Sequence, residues 1–248
     1  MNILLADSRG GGMSPKLPGY FGKELVKPGA TVKLLTSQVK SLIPSTYRAK
    51  RTTFVYVMAG INDACERVES PNLGQYRYRE VIFVEDPHVC ANKIIQDIRN
   101  CALEIKRHNA TPVFATITKA NLSIYNQTQL NEGSTRYLHQ ADSYGVMQEG
   151  MNTTIDIVNG FIKNINRENQ VSTPFCHNAI IQRRGRKGRY RINQWKALRD
   201  GIHGTWKTRC LWAKALQAAM DCNSKSDEVA LLASPKRSWK NEKRQKND

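Results

Sequence analysis

Three short segments that lie far apart in this chain carry the residue types of an acyl-transfer site. Ser8 follows Asp7 near the start, Asn62 lies in the first third, and His203 follows Asp200 by three positions near the end. A serine hydroxyl, an imidazole and a carboxylate are the parts of a hydrolytic triad, and an asparagine amide can donate to an oxyanion. Together these residues predict nucleophilic acyl chemistry.

The spacing of Asp200 and His203 favours a hydrogen-bonded pair. In a turn or at a helix start, residues three apart project to one side, so the carboxylate can accept the proton of one ring nitrogen. The other nitrogen is then free to act as a base towards Ser8. Each fragment alone has a simpler interpretation, because a serine after a strand is often a turn residue and an Asp-x-x-His pair can cap a helix.

Gly29 is a candidate for an oxyanion hole beside Asn62. The tetrahedral intermediate of ester hydrolysis carries a negative oxygen, and its donors must already point at it. Since Gly29 has no Cβ, its backbone can approach such an oxygen closely. On local evidence Gly29 is equally well explained as a turn glycine after Pro28, and Asn62 as a turn residue after a strand.

Two apolar runs predict the elements that position these residues. Residues 3–6 and 54–59 are typical of buried strands in a parallel sheet, where neither face meets water. Ligands of open α/β sheets bind just beyond the carboxyl ends of the strands. We therefore expect Ser8 and Asn62 at the same edge of one sheet.

The rest of the chain alternates strands with helices. A further strand is predicted at residues 111–117 and an extended piece at residues 76–84. Thr31 and Asp86 are predicted helix N-caps, the latter with proline at the first helical position. Two more helices carry apolar residues at three- and four-residue spacing, namely Met151, Ile155, Val158, Ile162 and Ile165 in one and Trp206, Cys210, Ala213 and Leu216 in the other.

This alternation predicts a three-layer α/β/α domain with a flavodoxin-like parallel sheet over residues 1–221. Residues 222–248 form a basic C-terminal tail that lacks a periodic apolar face, and we expect it to be disordered.

Four sequence blocks resemble those of the SGNH, or GDSL-type, superfamily of serine esterases and lipases. The blocks are Ala6-Asp7-Ser8, Gly29, Gly60-Ile61-Asn62-Asp63 and Asp200-Gly201-Ile202-His203, in the order that the family has them. The resemblance extends from residue 1 to about residue 220 and implies the SGNH hydrolase fold.

By this resemblance the protein is a serine esterase that hydrolyses an acyl ester, for example an acetyl ester, through an acyl-serine intermediate. Ser8 is then the nucleophile, His203 the general base and Asp200 its orienting carboxylate. The backbone N–H groups of Ser8 and Gly29 and the side-chain amide of Asn62 form the oxyanion hole. No metal or organic cofactor is implied.

Two positions depart from the family pattern. Ala6 stands where the family has glycine, and Arg9 stands where it has an apolar or small polar residue. A cation at Arg9 would lie beside the acyl site, where it would either favour an anionic substrate or mark a degenerate catalytic centre. The chain is also similar to SGNH-like domains encoded by retrotransposons and related viral elements, in the segment from Thr173-Pro174 to the last block.

The net charge of +17 points to an anionic partner such as nucleic acid or an acidic lipid surface, or to high solubility. Residues 183–199 hold eight lysines or arginines and no acid. This segment is either a solvated loop or an electrostatic funnel at the mouth of the site. The candidate anion-binding residues are Arg9, Arg183, Arg184, Arg186, Lys187 and Arg189.

The charge also supports a second hypothesis, in which the chain is a nucleic-acid-binding protein on a catalytically degenerate SGNH scaffold. No apolar stretch approaches the roughly 20 residues that span a bilayer, so the sequence predicts no transmembrane segment. The first apolar run is too short for a signal peptide, so we expect an intracellular protein, cytoplasmic or nuclear, whose six cysteines are reduced. Those cysteines are scattered, and their spacing does not favour a zinc site.

Overall fold

A parallel sheet lies at the centre of the computed structural model, which describes residues 1–43, 52–70, 78–131, 143–184 and 190–233. The strands in these ranges are β1 (Asn2–Ala6), β2 (Lys23–Val26), β3 (Thr53–Met58), β4 (Glu66–Ser70), β5 (Tyr78–Ile82), β6 (Ala110–Phe114), β7 (Ile181–Arg184) and β8 (Tyr190–Asn193). The α-helices are α1 (Val32–Thr36), α2 (Val39–Leu42), α3 (Pro87–Arg107), α4 (Leu122–Asn131), α5 (Ser143–Glu168) and α6 (Trp206–Ala233).

The central sheet has the strand order β2-β1-β3-β6, and all its pairs are parallel. The register pairs Ala6 with both Val26 and Met58, so three of the strands end at the same level. The turns that follow them therefore meet at one edge of the sheet, as the two apolar runs predicted.

Helices cover both faces of this sheet. On β3, Val55 and Val57 pack into the core formed with α3 and α5, whereas Tyr56 and Met58 pack into the core formed with α6. Successive side chains of a strand point to opposite faces, and every residue of β3 is buried. The predicted three-layer α/β/α class is thus confirmed.

The predicted helix starts are also confirmed. The Thr31 hydroxyl accepts a hydrogen bond from the backbone N–H of Leu34 at 3.2 Å. The Asp86 carboxylate accepts from the N–H groups of the second and third helical residues at 2.9 and 3.1 Å, with Pro87 at the first position. Both caps satisfy backbone donors that a helix leaves unpaired at its start.

Three strand segments differ from the expectation. β2 is an edge strand whose first two residues, Lys23 and Glu24, are exposed, so its sequence has no buried-strand pattern. β4, for which no strand was predicted, pairs antiparallel with β5. β7 and β8 pair antiparallel on either side of residues 185–189, inside the basic segment.

The final helix buries a different face from the one predicted, and it extends beyond the predicted end of the domain. Trp206 is 75 % exposed and Cys210 is only half-buried, whereas Thr208 and Trp212 are buried together with Leu216. The apolar spacing that began at Trp206 therefore assigned the wrong face at this end of the helix. The buried face includes a threonine, which an apolar pattern does not detect.

Helix α6 continues past residue 221, where the predicted domain ends, and polar side chains beyond that residue bind it to the rest of the domain. The side chain of Asn223 accepts from the N–H of Ser172 at 2.7 Å and donates to the hydroxyl of Tyr56 at 3.0 Å. Asp227 accepts from the N–H of Thr52 at 3.2 Å. The helix continues to Ala233, and residues 234–248 of the predicted tail lie outside the described residues. Within the described chain, no helix is both long enough and apolar enough to span a bilayer.

Candidate active site

Ser8 lies in a tight turn directly after β1. The Asp7 N–H donates to the carbonyl of Met58 at 3.1 Å and extends the sheet by one bond. The Asp7 carboxylate then accepts from the N–H of Arg9 at 2.8 Å and caps a single 3₁₀ turn over Ser8–Gly10. A Cβ at Gly10 would overlap the Cβ of Ala6, so only glycine fits there. This turn presents the Ser8 hydroxyl at the sheet edge.

The loop between β8 and α6 brings Asp200 and His203 to the same edge. One Asp200 oxygen accepts from the backbone N–H groups of Ile202 and His203 at 3.1 and 2.7 Å. Gly201 between them has φ +83°, and a Cβ there would overlap the carbonyl of Asn121. The backbone of this loop is therefore fixed by its own aspartate and by a glycine that no other residue can replace without strain.

The three side chains form one hydrogen-bonded chain. His203 Nδ1 lies 2.7 Å from the second Asp200 oxygen, and His203 Nε2 lies 2.9 Å from Ser8 Oγ. When Nδ1 carries the proton and donates to Asp200, Nε2 is left to accept from the Ser8 hydroxyl. The structure thus brings together Ser8, Asp200 and His203 at distances suited to proton transfer.

The charge of Asp200 is stabilised in this position. Burial by itself raises the pKa of the carboxyl, but the hydrogen bonds from the side chain and backbone of His203 and the N–H of Ile202 outweigh it. The net result is a pKa held below the usual range, so the carboxylate is ionised at neutral pH.

The turn after β3 is tied to the turn after β2. The Asn62 side-chain amide donates to the carbonyl of Ala30 at 3.1 Å, and the Asp63 carboxylate accepts from the N–H of Val32 at 3.0 Å. Gly29 has φ +73°, a conformation that favours glycine. Because an amide carries two hydrogens, the bond to Ala30 leaves Asn62 a second N–H to donate.

A cleft of about 320 Å³ joins the two sides of the site. Its lining residues are Ser8, Pro28, Gly29, Ile61, Asn62, Cys65, Arg67, Val81, Tyr125, Ile202 and His203. Its walls combine apolar side chains with convergent polar groups, as small-ligand sites commonly do. The structure therefore places Gly29 and Asn62 in the same cleft as the Ser8–His203 pair.

Arg67 is a cleft residue that the sequence analysis missed. It lies on β4, where the register pairs it with Val81, another cleft residue. No sequence motif marks an arginine in a polar hairpin as a site residue. The pairing of β4 with β5 is what shows that Arg67 faces the site.

Arg9 lies elsewhere than expected. Its side chain is 4 % exposed, does not line the cleft, and donates from Nη1 to the carbonyl of Thr118. Burial raises the pKa of Asp7 and lowers that of Arg9, and each charge partly offsets the effect on the other. The expectation that Arg9 meets an anionic substrate is therefore not met, because its guanidinium points into the protein.

The other candidate anion-binding residues lie only partly within the described chain. Arg183 and Arg184 end strand β7. Arg186, Lys187 and Arg189 fall in residues 185–189, outside the described residues. Across the described ranges, no group of three metal-ligating side chains is close enough to hold a metal ion.

The sequence matches no model of a known protein family and no curated protein. In structure, the chain is similar to a GDSL-like lipase from Bacteroides thetaiotaomicron VPI-5482, with a TM-score of 0.55, 13 % identity and coverage of 90 % of this chain and 88 % of that chain. It is also similar to a variant of an acetyl-xylooligosaccharide esterase from Geobacillus, with a TM-score of 0.50, 14 % identity and coverage of 88 % and 93 %.

The OSK domain of Drosophila Oskar is similar as well, with a TM-score of 0.51, 11 % identity and coverage of 87 % of this chain and 86 % of that domain. At these identities the likeness establishes the fold. The chain therefore has the fold of the SGNH and GDSL-type hydrolases, as its four sequence blocks predicted.

Proposed function

We propose that this protein is a serine esterase that hydrolyses a short acyl ester through an acyl-Ser8 intermediate. The observation that carries the proposal is the chain of contacts from Asp200 to His203 at 2.7 Å and from His203 to Ser8 at 2.9 Å. This chain lies at a cleft that Gly29 and Asn62 also line. An Asp200–His203 pair that only capped a helix would need no serine at the second imidazole nitrogen.

The first half of the reaction transfers the acyl group to the protein. Ser8 Oγ attacks the ester carbonyl as His203 Nε2 takes its proton, and the carbonyl oxygen becomes an oxyanion. The intermediate then collapses, the bond to the alcohol breaks, and His203 returns the proton to the leaving alcohol. The products of this half are the free alcohol and acyl-Ser8.

The second half regenerates the serine. His203 takes a proton from a water molecule, whose oxygen attacks the acyl-Ser8 carbonyl through a second oxyanion. Collapse releases the carboxylic acid, and the proton passes back to Ser8 Oγ. Asp200 stays ionised throughout, holds the Nδ1 proton and stabilises the imidazolium that forms at each step.

The oxyanion would be held by the backbone N–H groups of Ser8 and Gly29 and by the amide of Asn62. The left-handed backbone at Gly29 and the bond from Asn62 to Ala30 fix these groups before substrate arrives. Such prearranged donors stabilise the transition state without reorganisation at the moment of reaction. The neighbours described as a lipase and as an acetyl-xylooligosaccharide esterase support an ester as the substrate class.

Hydrolysis of 4-nitrophenyl acetate by the wild type and by Ser8→Ala tests this proposal. We expect the variant to lose at least about 10⁴-fold in kcat, because removing a triad nucleophile leaves only binding and the oxyanion donors. Ser41→Ala, at an exposed serine, is the matched control and should retain full activity. Equal activity in the wild type and in Ser8→Ala would overturn the proposal.

Binding of a polyanion is a second candidate function, and it is compatible with the first. The register of the β7–β8 hairpin places Arg183 directly opposite Arg191. The net charge of +17 points the same way, and a nucleic acid is the polyanion that we propose.

Retention on immobilised DNA over a salt gradient tests this second function. We expect the double variant Arg183→Gln/Arg191→Gln to lower the slope of log affinity against log salt by about 1 to 2, since each lost phosphate contact removes about 0.9. The double variant Arg99→Gln/Arg107→Gln changes the net charge equally at exposed positions on α3 and is the control. A slope that the two double variants change alike would assign binding to general charge instead of the hairpin.

A further inference from the structure

The cleft carries a permanent positive charge beside the proposed oxyanion hole. The guanidinium Nη2 of Arg67 lies 3.5 Å from the position that a Cβ on Gly29 would occupy. Arg67 and Gly29 both line the cleft that contains Ser8 and His203. A cation at this point can contact a group of the substrate that lies only a few bonds from the carbonyl that Ser8 attacks.

The described residues do not neutralise this charge. The lining of the cleft includes no aspartate or glutamate, and within the described ranges Arg67 forms no ion pair. Cys65, the nearest ionisable cleft residue on the same segment, has a pKa raised to about 12 by burial and is therefore a neutral thiol. Glu66 precedes Arg67 on the same strand, and its side chain points to the opposite face because successive strand residues alternate.

The two arginines near the site, Arg9 and Arg67, differ in whether the guanidinium is available to a ligand. Arg9 is buried next to Asp7 and bonded to the Thr118 carbonyl, so its donors face the interior. Arg67 is exposed, and it shares the cleft with the apolar residues Val81 and Tyr125. A guanidinium is more weakly hydrated than an ammonium group and presents a planar pair of donors, which suits a carboxylate or phosphate group.

We infer that Arg67 determines specificity by selecting esters that carry an anionic group close to the scissile carbonyl. The inference rests on the proposed esterase function and names the substrate class of that same site. The anionic group belongs either to the acyl part of the ester or to the alcohol part, and the chemistry recognised by Arg67 is the same in both.

Paired esters that differ by one charge test the inference. On the acyl side, mono-4-nitrophenyl glutarate is compared with 4-nitrophenyl valerate, in which a methyl group replaces the carboxylate. On the alcohol side, 4-acetoxybenzoate is compared with its methyl ester. In the wild type we expect kcat/KM to favour the anionic member of one pair by about 10- to 100-fold, since a charge-assisted bond contributes about that factor.

The variant Arg67→Gln should abolish this preference, because kcat/KM should fall more for the anionic ester than for the neutral one. Arg67→Lys keeps the charge without the planar fork and should retain part of the preference. Arg107→Gln removes a positive charge from an exposed position on α3 and should retain all of it. An equal loss on anionic and neutral esters in Arg67→Gln would instead make Arg67 an oxyanion donor and overturn the specificity role.

Failure of this inference is separable from failure of the esterase function. Ser8-dependent hydrolysis of the neutral esters reports on the esterase alone. Equilibrium binding of the glutarate and valerate esters to Ser8→Ala, with and without Arg67→Gln, reports on Arg67 without any turnover. Preferential binding of the anionic ester that Arg67→Gln removes supports the inference, and a preference that is absent or insensitive to Arg67→Gln overturns it.

Discussion

The two sides of the cleft are built differently. On the proton-transfer side, Asp200, His203 and Ser8 contact one another directly, at 2.7 and 2.9 Å. On the acyl side, Asn62 and Gly29 make no such chain. They are held from behind, Asn62 by the carbonyl of Ala30 and Gly29 by its left-handed backbone.

Because of this difference, we expect substitutions on the two sides of the cleft to affect activity in different ways. The proton-transfer side satisfies its own hydrogen bonds without any ligand, so its substitution should affect every substrate alike. On the acyl side the backbone is held in place, and Asn62, Gly29 and the charged Arg67 line the cleft. Substitutions there should act on the transition state or on particular substrates.

After the loss of Ser8 itself, removing the charge of Asp200 should have the largest effect. Asp200→Asn keeps an oxygen for the backbone N–H groups of Ile202 and His203 but no longer stabilises an imidazolium. We expect kcat for 4-nitrophenyl acetate to fall by about 10³- to 10⁴-fold, with little change in KM. Asp156→Asn, at an exposed aspartate, should leave kcat unchanged.

The same variant makes a prediction for stability. Because the folded-state pKa of Asp200 lies below its unfolded value, the carboxylate stabilises the fold above the unfolded pKa, and this is lost as the pH falls through the folded value. Below about pH 4, the free energy of unfolding measured in urea should therefore fall more steeply for the wild type than for Asp200→Asn. Parallel acid dependence in both proteins would show that the bond to His203 does not hold the carboxylate ionised.

A smaller effect is expected on the acyl side. Asn62→Ala removes one donor to the oxyanion, and we expect kcat to fall by about 10²- to 10³-fold, with KM unchanged. Asn100→Ala, at an exposed position on α3, is the control. A rise in KM with kcat retained would mean that Asn62 binds the ground state and does not act as an oxyanion donor.

The smallest effect concerns the carboxyl next to Asn62. Burial raises the pKa of Asp63 to about 7, so between about pH 4 and 7 the folded state holds a proton that the unfolded chain has released. Stability should therefore decline as the pH rises through this window. Asp63→Asn should flatten that decline in urea titrations, and an undiminished decline would assign it to other groups.

The parts of the molecule that were predictable carry local signals. Strands β1 and β3 are continuous apolar runs, and Thr31 and Asp86 are residue types that cap helices by bonding to nearby backbone. The site segments follow two of these strands directly, so predicting the strands also placed Ser8 and Asn62 at one edge. The contact of Ser8 with His203 depends on the fold of a loop almost two hundred residues away in sequence.

The features that were missed depend on tertiary context. β2 has charged residues at exposed edge positions, and the buried face of α6 includes Thr208 and Asn223, which break the apolar period. Arg9 and Arg67 show the same limit at the site. Residue type shows that each is a cation, but only the packing shows that one points inward and the other lines the cleft.

Covalent labelling of Ser8 tests most directly whether these distant segments form one reactive centre. A fluorophosphonate probe should modify Ser8, with the adduct located by peptide mass spectrometry, because Ser8 is the one serine in the described part of the chain that lies 2.9 Å from an imidazole nitrogen oriented by Asp200. Labelling should disappear in His203→Ala with the fold retained. Absence of the adduct in the wild type, or equal labelling in His203→Ala, would contradict a His203-activated nucleophile.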